Sequence, residues 1–99
     1  MLENIQYFMS SAQDGFEAFC NGRKIGEITF VRIGVDTLLI DYTFVVPEFR
    51  GQHIGLTLLR KVVEMARAHK MHVVALCPFV RAMFGRFSEF DDVRLLNNH

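Results

Sequence analysis

The chain contains no tryptophan, only two prolines and two cysteines, and no surplus charge: eleven Lys and Arg stand against eleven Asp and Glu. That balance excludes a nucleic-acid surface, which needs a clustered positive excess. Two cysteines are too few for a disulfide scaffold, and in a reducing compartment Cys20 and Cys77 are expected as thiols rather than as a pair. No apolar run approaches the roughly 20 residues of a membrane span. The start Met1-Leu2-Glu3-Asn4-Ile5-Gln6 lacks the basic and then apolar order of an export signal. The expectation is a cytoplasmic protein with no membrane and no nucleic-acid partner. The four His and two Cys show no spacing that fits a zinc site, so no metal is expected.

What is present is apolar. Hydrophobic residues make up 51% of the 99 positions, and ten of them are Phe, so burial is ample for one folded domain spanning residues 1–99. A domain this small with so much apolar surface also admits a homodimer.

Alternation organises the first half. Ile5 to Met9 is a short apolar run, and Ser10 to Gly15 is a turn cluster. Phe16, Ala18 and Cys20 alternate with Glu17, Phe19 and Asn21, a strand pattern. Asn21-Gly22 is a strong hairpin signal because both residues accept the positive φ of a type I′ turn. A strand from Lys24 to Ile33, a turn at Gly34 to Asp36 and a strand from Thr37 to Val46 complete four antiparallel strands. In this setting Cys20 reads as a small core hydrophobe.

The period then changes. Ile54, Leu58, Leu59, Val62, Val63 and Ala66 recur at three- and four-residue steps, predicting one amphipathic helix over Ile54 to His69. Met71 to Leu76 is a continuous apolar run suited to a buried strand parallel to Thr37–Val46, joined to it by a right-handed crossover. The fold class is α+β, antiparallel strands leading into a parallel strand-helix-strand unit and then a C-terminal helix.

The junction of sheet and helix reads V-V-P-E-F-R-G-Q-H-I-G-L, from Val45 to Leu56. Pro47 has no N–H for strand pairing, so the backbone turns, and Arg50, Gly51, Gln52 and His53 fall on a tight turn that opens the helix. Such a turn presents N–H groups without intrahelical partners beside the positive end of a helix dipole, which suits a phosphate. Neither the Walker loop nor the three-glycine Rossmann turn is present. An ordinary strand-to-helix turn with a surface Arg is the plainer alternative.

Arg50 to Gly55 resembles the Q/R-x-x-G-x-G/A turn of the GNAT acetyltransferase superfamily, strengthened by the Pro47-Glu48-Phe49-Arg50-Gly51-Gln52 run. The middle Gly of that pattern is His53 here, which has a Cβ, although the first turn of a helix asks only for ordinary helical angles. A second stretch, Cys77-Pro78-Phe79-Val80 followed by Phe84 to Val93, resembles a short single-domain branch of the same superfamily, with Ser88 and Phe90 where that branch has Pro and Tyr. The resemblance spans Thr37 to Val93. It implies a truncated GNAT fold that binds acetyl-coenzyme A, the diphosphate on the amides of Arg50, Gly51, Gln52, His53, Ile54 and Gly55. It also implies that the pantetheine arm lies along the backbone of Phe44, Val45 and Val46, and that the Phe residues from 79 to 90, Phe79 and Phe84 among them, close the core and wall the thioester pocket.

Pro78 suits the first position of a helix, which puts Cys77 at its N-cap, where dipole and amides favour a thiolate. Cys77 reads equally as acyl acceptor or proton donor and as an inert capping thiol. Several relatives carry His where this chain has Tyr42, so Tyr42 stands as an alternative acid, set against a packed aromatic. Asp41 reads as a solvent-facing carboxylate, and His69 as a helix-end contact. Three functions stay open: acetyl transfer to an amine acceptor of unknown kind, a non-catalytic coenzyme A binder or sensor, and an interaction module that keeps the fold alone.

Overall fold

A computed structural model of the chain describes residues 4–94, so Met1 to Glu3, read above for an export signal, lie outside it. Five strands form one sheet in the order β1-β2-β3-β4-β5, with β1 at Ile5–Met9, β2 at Gly15–Cys20, β3 at Arg23–Ile33, β4 at Thr37–Val45 and β5 at His72–Ala75. The first three pairings are antiparallel and β4 with β5 is parallel. Helix α1, Ile54–Ala68, makes the crossover between β4 and β5, and α2, Pro78–Arg86, follows β5. The α+β class and the strand-helix-strand unit thus stand as the periodicities predict. The Asn21-Gly22 turn has φ of 52° and 78°, the left-handed pair that a two-residue hairpin demands.

Three elements fall short of the sequence reading, β4 by one residue because it ends at Val45 rather than Val46. The last strand is four residues, not the Met71–Leu76 run, because Met71 still donates its N–H to Ala66 at the helix end and Leu76 already turns toward α2. Helix α1 stops at Ala68; His69 is its C-cap, with Nδ1 3.0 Å from the Met65 carbonyl, the helix-end contact expected of it.

The apolar face of α1 is what fixes it to the sheet. Leu58, Leu59, Val62 and Val63 are at most 1% exposed. Each such burial contributes about 1.5–3 kcal/mol relative to exposure. They meet Ile25, Ile28, Leu38, Ile40 and Val73 in one core cluster, which Cys20 and Ala18 join. On the far side of α1, Arg60 and Arg67 leave the solvent face for the residues after α2. Arg60 grips Glu89 through two hydrogen bonds of 2.9 and 2.8 Å. Arg67 grips Asp92 at 2.9 and 2.8 Å and donates to the Glu89 carbonyl at 2.6 Å.

One irregularity positions the site. Ile40 pairs with Phe30 but Tyr42 pairs with Thr29, so Asp41 is the extra residue of a bulge in β4. Ahead of it Leu38 and Ile40 are the buried positions; past it, Thr43 and Val45 are half-buried while Tyr42 and Phe44 are exposed. The bulge inverts which residues face the helices. Pairing between β4 and β5 ends at Ile40 with Ala75, where the Ile40 carbonyl accepts from the N–H groups of Leu76 and Cys77 at 3.0 and 3.3 Å. From Asp41 to Val45, β4 runs on without β5 beside it. A gap opens between the parallel strands.

Candidate functional site

Val46 donates its N–H to Ile25, and Pro47–Phe49 form a single 3₁₀ turn that lifts the chain off the sheet. Gly51 then has φ of 86° and His53 has φ of 62°, so two left-handed residues fold the chain back into α1. His53 is the N-cap of α1 rather than a residue of its first turn, which corrects the expectation of ordinary helical angles there. A His tolerates this region better than most residues that carry a Cβ.

The consequence is a row of donors. Among the described residues, no acceptor is found for the backbone N–H groups from Gly51 to Leu56; the first bond of the new helix is Thr57 N–H to the His53 carbonyl at 3.0 Å. No side chain caps the helix either. The dipole of a fifteen-residue helix adds its positive end at the same place.

These donors open onto a cavity of about 430 Å³ between the end of β4, the head of α1 and one face of α2. Of the expected cofactor residues, Phe44, Val45, Arg50, Gly51, His53, Ile54, Gly55 and Phe79 line it. Val46 and Gln52 flank it without lining it. Phe84 is a correction: it is 7% exposed and packs on Phe90, ring centroids 5.5 Å apart, so it belongs to the core and not to the cavity wall. Tyr42, expected near the chemistry, stands 46% exposed on the outer face and stacks on Phe44 at 6.5 Å. The bulge at Asp41 turned it outward. Asp41 itself is exposed and accepts from the Thr29 hydroxyl at 2.7 Å.

Five lining residues escaped the sequence reading, Thr43, Phe49, Leu56, Met83 and Arg86, while Phe87 belongs to the Phe wall expected between residues 79 and 90. For α2 the signal was there, since Phe79, Met83, Arg86 and Phe87 recur at helical steps on one face. Thr43 was hidden by the bulge. The cavity carries two guanidinium groups, Arg50 and Arg86, and no carboxylate among its lining residues. Its polar character is cationic, its walls aromatic.

Gly55 is fitted to that wall. A Cβ there would meet the Phe79 ring at 3.0 Å, so the glycine lets the aromatic ring lie against the head of α1. Cys77 caps α2, as Pro78 at the first helical position predicts. It is 6% exposed, and its Sγ donates to the Thr43 hydroxyl oxygen at 3.4 Å. Thr43 stands between that thiol and the cavity, because Thr43 lines the space and Cys77 does not. Among the described residues there is no cluster of His, Cys, Asp and Glu suited to a metal ion, and no helix long and apolar enough to cross a membrane.

The sequence model of the GCN5-related N-acetyl-transferase family matches residues 15–93. The chain belongs to that family. Among solved structures, a GCN5-like candidate N-acetyltransferase from Staphylococcus aureus superposes with a TM-score of 0.77 at 28% identity, over 95% of this chain and 91% of its own. N-acetylglutamate synthase from Neisseria gonorrhoeae, complexed with coenzyme A and N-acetyl-glutamate, gives 0.65 at 18% identity over 75% of this chain but only 18% of its own. A GNAT family acetyltransferase from Elizabethkingia anophelis with acetyl-CoA bound gives 0.60 at 21%, over 76% and 53%. No curated protein sequence matches the chain. The two less similar structures bear on the fold alone, and this acetyltransferase-family chain spans a fifth to a half of their length.

Proposed function

We propose that the protein binds acetyl-coenzyme A between β4, α1 and α2 and passes the acetyl group to an amine. The observation that carries this reading is the row of N–H groups from Gly51 to Leu56, without acceptors among the described residues and beside a cavity lined by two arginines and no carboxylate. A diphosphate fits such a row. The residues present suit the rest of the ligand as well: by strand alternation the backbone groups of Thr43 and Val45 point away from β3 into the gap, because Val46 N–H bonds to Ile25 on β3. Those groups can hold the amides of a pantetheine arm, and the N–H of Val45 is the donor that can polarise a thioester carbonyl in the gap.

The chain's own chemistry then rests on Cys77 and Thr43. In the simpler route the amine attacks the thioester carbonyl, the C–S bond breaks, and the departing thiolate takes a proton from Cys77, directly or across the Thr43 hydroxyl, while Cys77 regains one from the amine nitrogen as the amide forms. In the alternative, Cys77 Sγ first takes the acetyl group and gives its proton to the departing coenzyme A thiolate, and the amine then attacks the S-acetyl cysteine and returns a proton to Cys77 as the amide forms. The thiol end of the ligand would lie where β4 and β5 part. The same reading assigns the chain to the reducing cytoplasm, where Cys77 stays a thiol.

Cys77 is recessed behind Thr43 and Tyr42 points away, which favours a second reading in which the chain binds coenzyme A without turning it over. Two measurements separate them. Acetyl-coenzyme A and coenzyme A, but not a nucleotide control, should raise the melting temperature, with a stabilisation of about 2.7 kcal/mol at a hundredfold excess over Kd. Release of free thiol from acetyl-coenzyme A across a panel of amines then identifies an enzyme; no release with any amine leaves the binder. No thermal response to either ligand overturns both.

A further inference from the structure

Arg50 opens the diphosphate turn, yet its side chain is engaged elsewhere. Its Nε donates to the Val45 carbonyl at 3.0 Å, and its guanidinium carbon lies 6.0 Å from the centroid of the Phe44 ring. Both contacts are on the part of β4 that β5 does not cover, since the parallel pairing ends at Ile40. The Val45 carbonyl faces the gap, where a ligand amide running along β4 would need it as an acceptor. Arg50 already holds it.

We propose that Arg50 is a specificity residue that makes occupation of the strand gap conditional on the diphosphate end of the ligand; this rests on the coenzyme A reading above. A guanidinium bonds a phosphate oxygen more strongly than a neutral carbonyl, because both partners then carry charge. A ligand that brings a diphosphate to the amides of Gly51 to Leu56 draws Arg50 off β4 and frees the Val45 carbonyl for the amide-bearing arm. A ligand with the arm alone must break the Arg50 contact at its own cost. The two halves of the ligand therefore help each other to bind, and the help is reciprocal. The device discriminates whole coenzyme A from fragments that carry only its arm.

The test uses the two halves separately, with NMR titrations of wild type, Arg50→Ala and Arg50→Met. The probes are pantetheine for the arm, ADP for the diphosphate, and coenzyme A. In wild type, saturating ADP should tighten pantetheine about three- to tenfold, the scale of one typical intramolecular hydrogen bond. In Arg50→Ala, pantetheine alone should bind tighter by the same factor, ADP should no longer affect it, and ADP and coenzyme A should both bind more weakly. Arg50→Met keeps a long side chain against Phe44 without the donor and should behave as Arg50→Ala does. Pantetheine affinity that is unchanged or weaker in both variants, or an ADP effect that persists in them, overturns the proposal while coenzyme A binding stands. A wild type that binds no coenzyme A overturns both.

Discussion

Two helices of this chain begin beside one cavity, and neither has a side chain capping its first turn. They differ in what their first amides do. At the head of α1, Gly51 and His53 turn with positive φ, and the N–H groups from Gly51 to Leu56 meet no acceptor among the described residues. At the head of α2 fewer donors remain: Cys77 gives its N–H to Ile40 and its thiol to Thr43, Pro78 has no N–H to give, and only the N–H groups of Phe79 and Val80 meet no acceptor among the described residues. One helix start offers six consecutive donors to an anion; the other keeps two and is built around a thiol. Helix geometry supplies the same dipole to both, so the side chains and the turn before them decide what each end can bind.

The sharpest way to break this comparison is to give α1 the acceptor that it lacks. In His53→Asp a carboxylate sits beside the free amides, a position in which Asp tolerates positive φ. Coenzyme A affinity should fall about a thousandfold, the scale of one charge pair at close range near a protein surface. The melting temperature should hold or rise, because an acid at a helix N-terminus is favourable. Titration calorimetry and a thermal melt on the same sample give both signs; weak binding together with a lower melting temperature contradicts the picture of open amides.

At the other helix the effect belongs to turnover. Cys77→Ala should slow acetyl transfer about a hundredfold, as loss of a positioned proton donor or nucleophile does, and leave coenzyme A affinity within about twofold. Steady-state kinetics with the amine found in the panel decide it, and a variant as fast as wild type removes Cys77 from the chemistry. Thr43→Val should lower the rate in the same direction if its hydroxyl links thiol to cavity, and should not change melting behaviour much.

A smaller effect sharpens the contact between the two ends. Gly55→Ala pushes the Phe79 ring outward into the cavity and should weaken coenzyme A about fivefold, the cost of modest overpacking. Ala is also the better helix former, so stability should not fall. An affinity equal to wild type would mean that the Phe79 wall plays no part in holding the ligand.

The smallest effect concerns what holds α2 beside α1. Hydrogen bonding from Arg60 holds the Glu89 carboxyl below its usual range, and Arg67 does the same to Asp92. A carboxyl whose folded pKa is depressed adds stability above its unfolded pKa, and that stability is lost as pH falls through the folded value. Melting temperature should therefore decline through the acid range below about pH 4.3. Glu89→Gln with Asp92→Asn should be less stable at neutral pH and flatter in acid; an unaltered acid profile in that double variant would show that the pairs contribute nothing.

Much of this was readable in the chain. The strand alternation, the Asn21-Gly22 hairpin, the step to a helical period at Ile54 and Pro78 after Cys77 all act over a few residues, where backbone preference and side-chain spacing decide the outcome. The family resemblance ran through the same stretches. Tyr42 and Phe84 were misplaced for a different reason. One extra residue in β4, Asp41, inverts the two-residue period, and no local preference of Asp-Tyr-Thr announces it; it appears only when β3 is laid alongside. Phe84 and Phe79 share a helix, and which of them meets the cavity depends on where α1 and the Phe90 segment pack. The pairing of Arg60 with Glu89 and of Arg67 with Asp92 likewise exists only once the fold brings α1 beside the residues after α2.

The sequence by itself determined the class of fold, the family and the turn that frees the amides, because each follows from spacing and backbone chemistry within a dozen residues. Only the tertiary structure decided that Thr43 stands between Cys77 and the cavity, that Tyr42 faces away, and that Arg50 rests on the Val45 carbonyl. Those relations depend on the phase of one strand against its neighbour and on the separation of β4 from β5. Both are set by contacts between residues far apart in the chain, which no local pattern encodes.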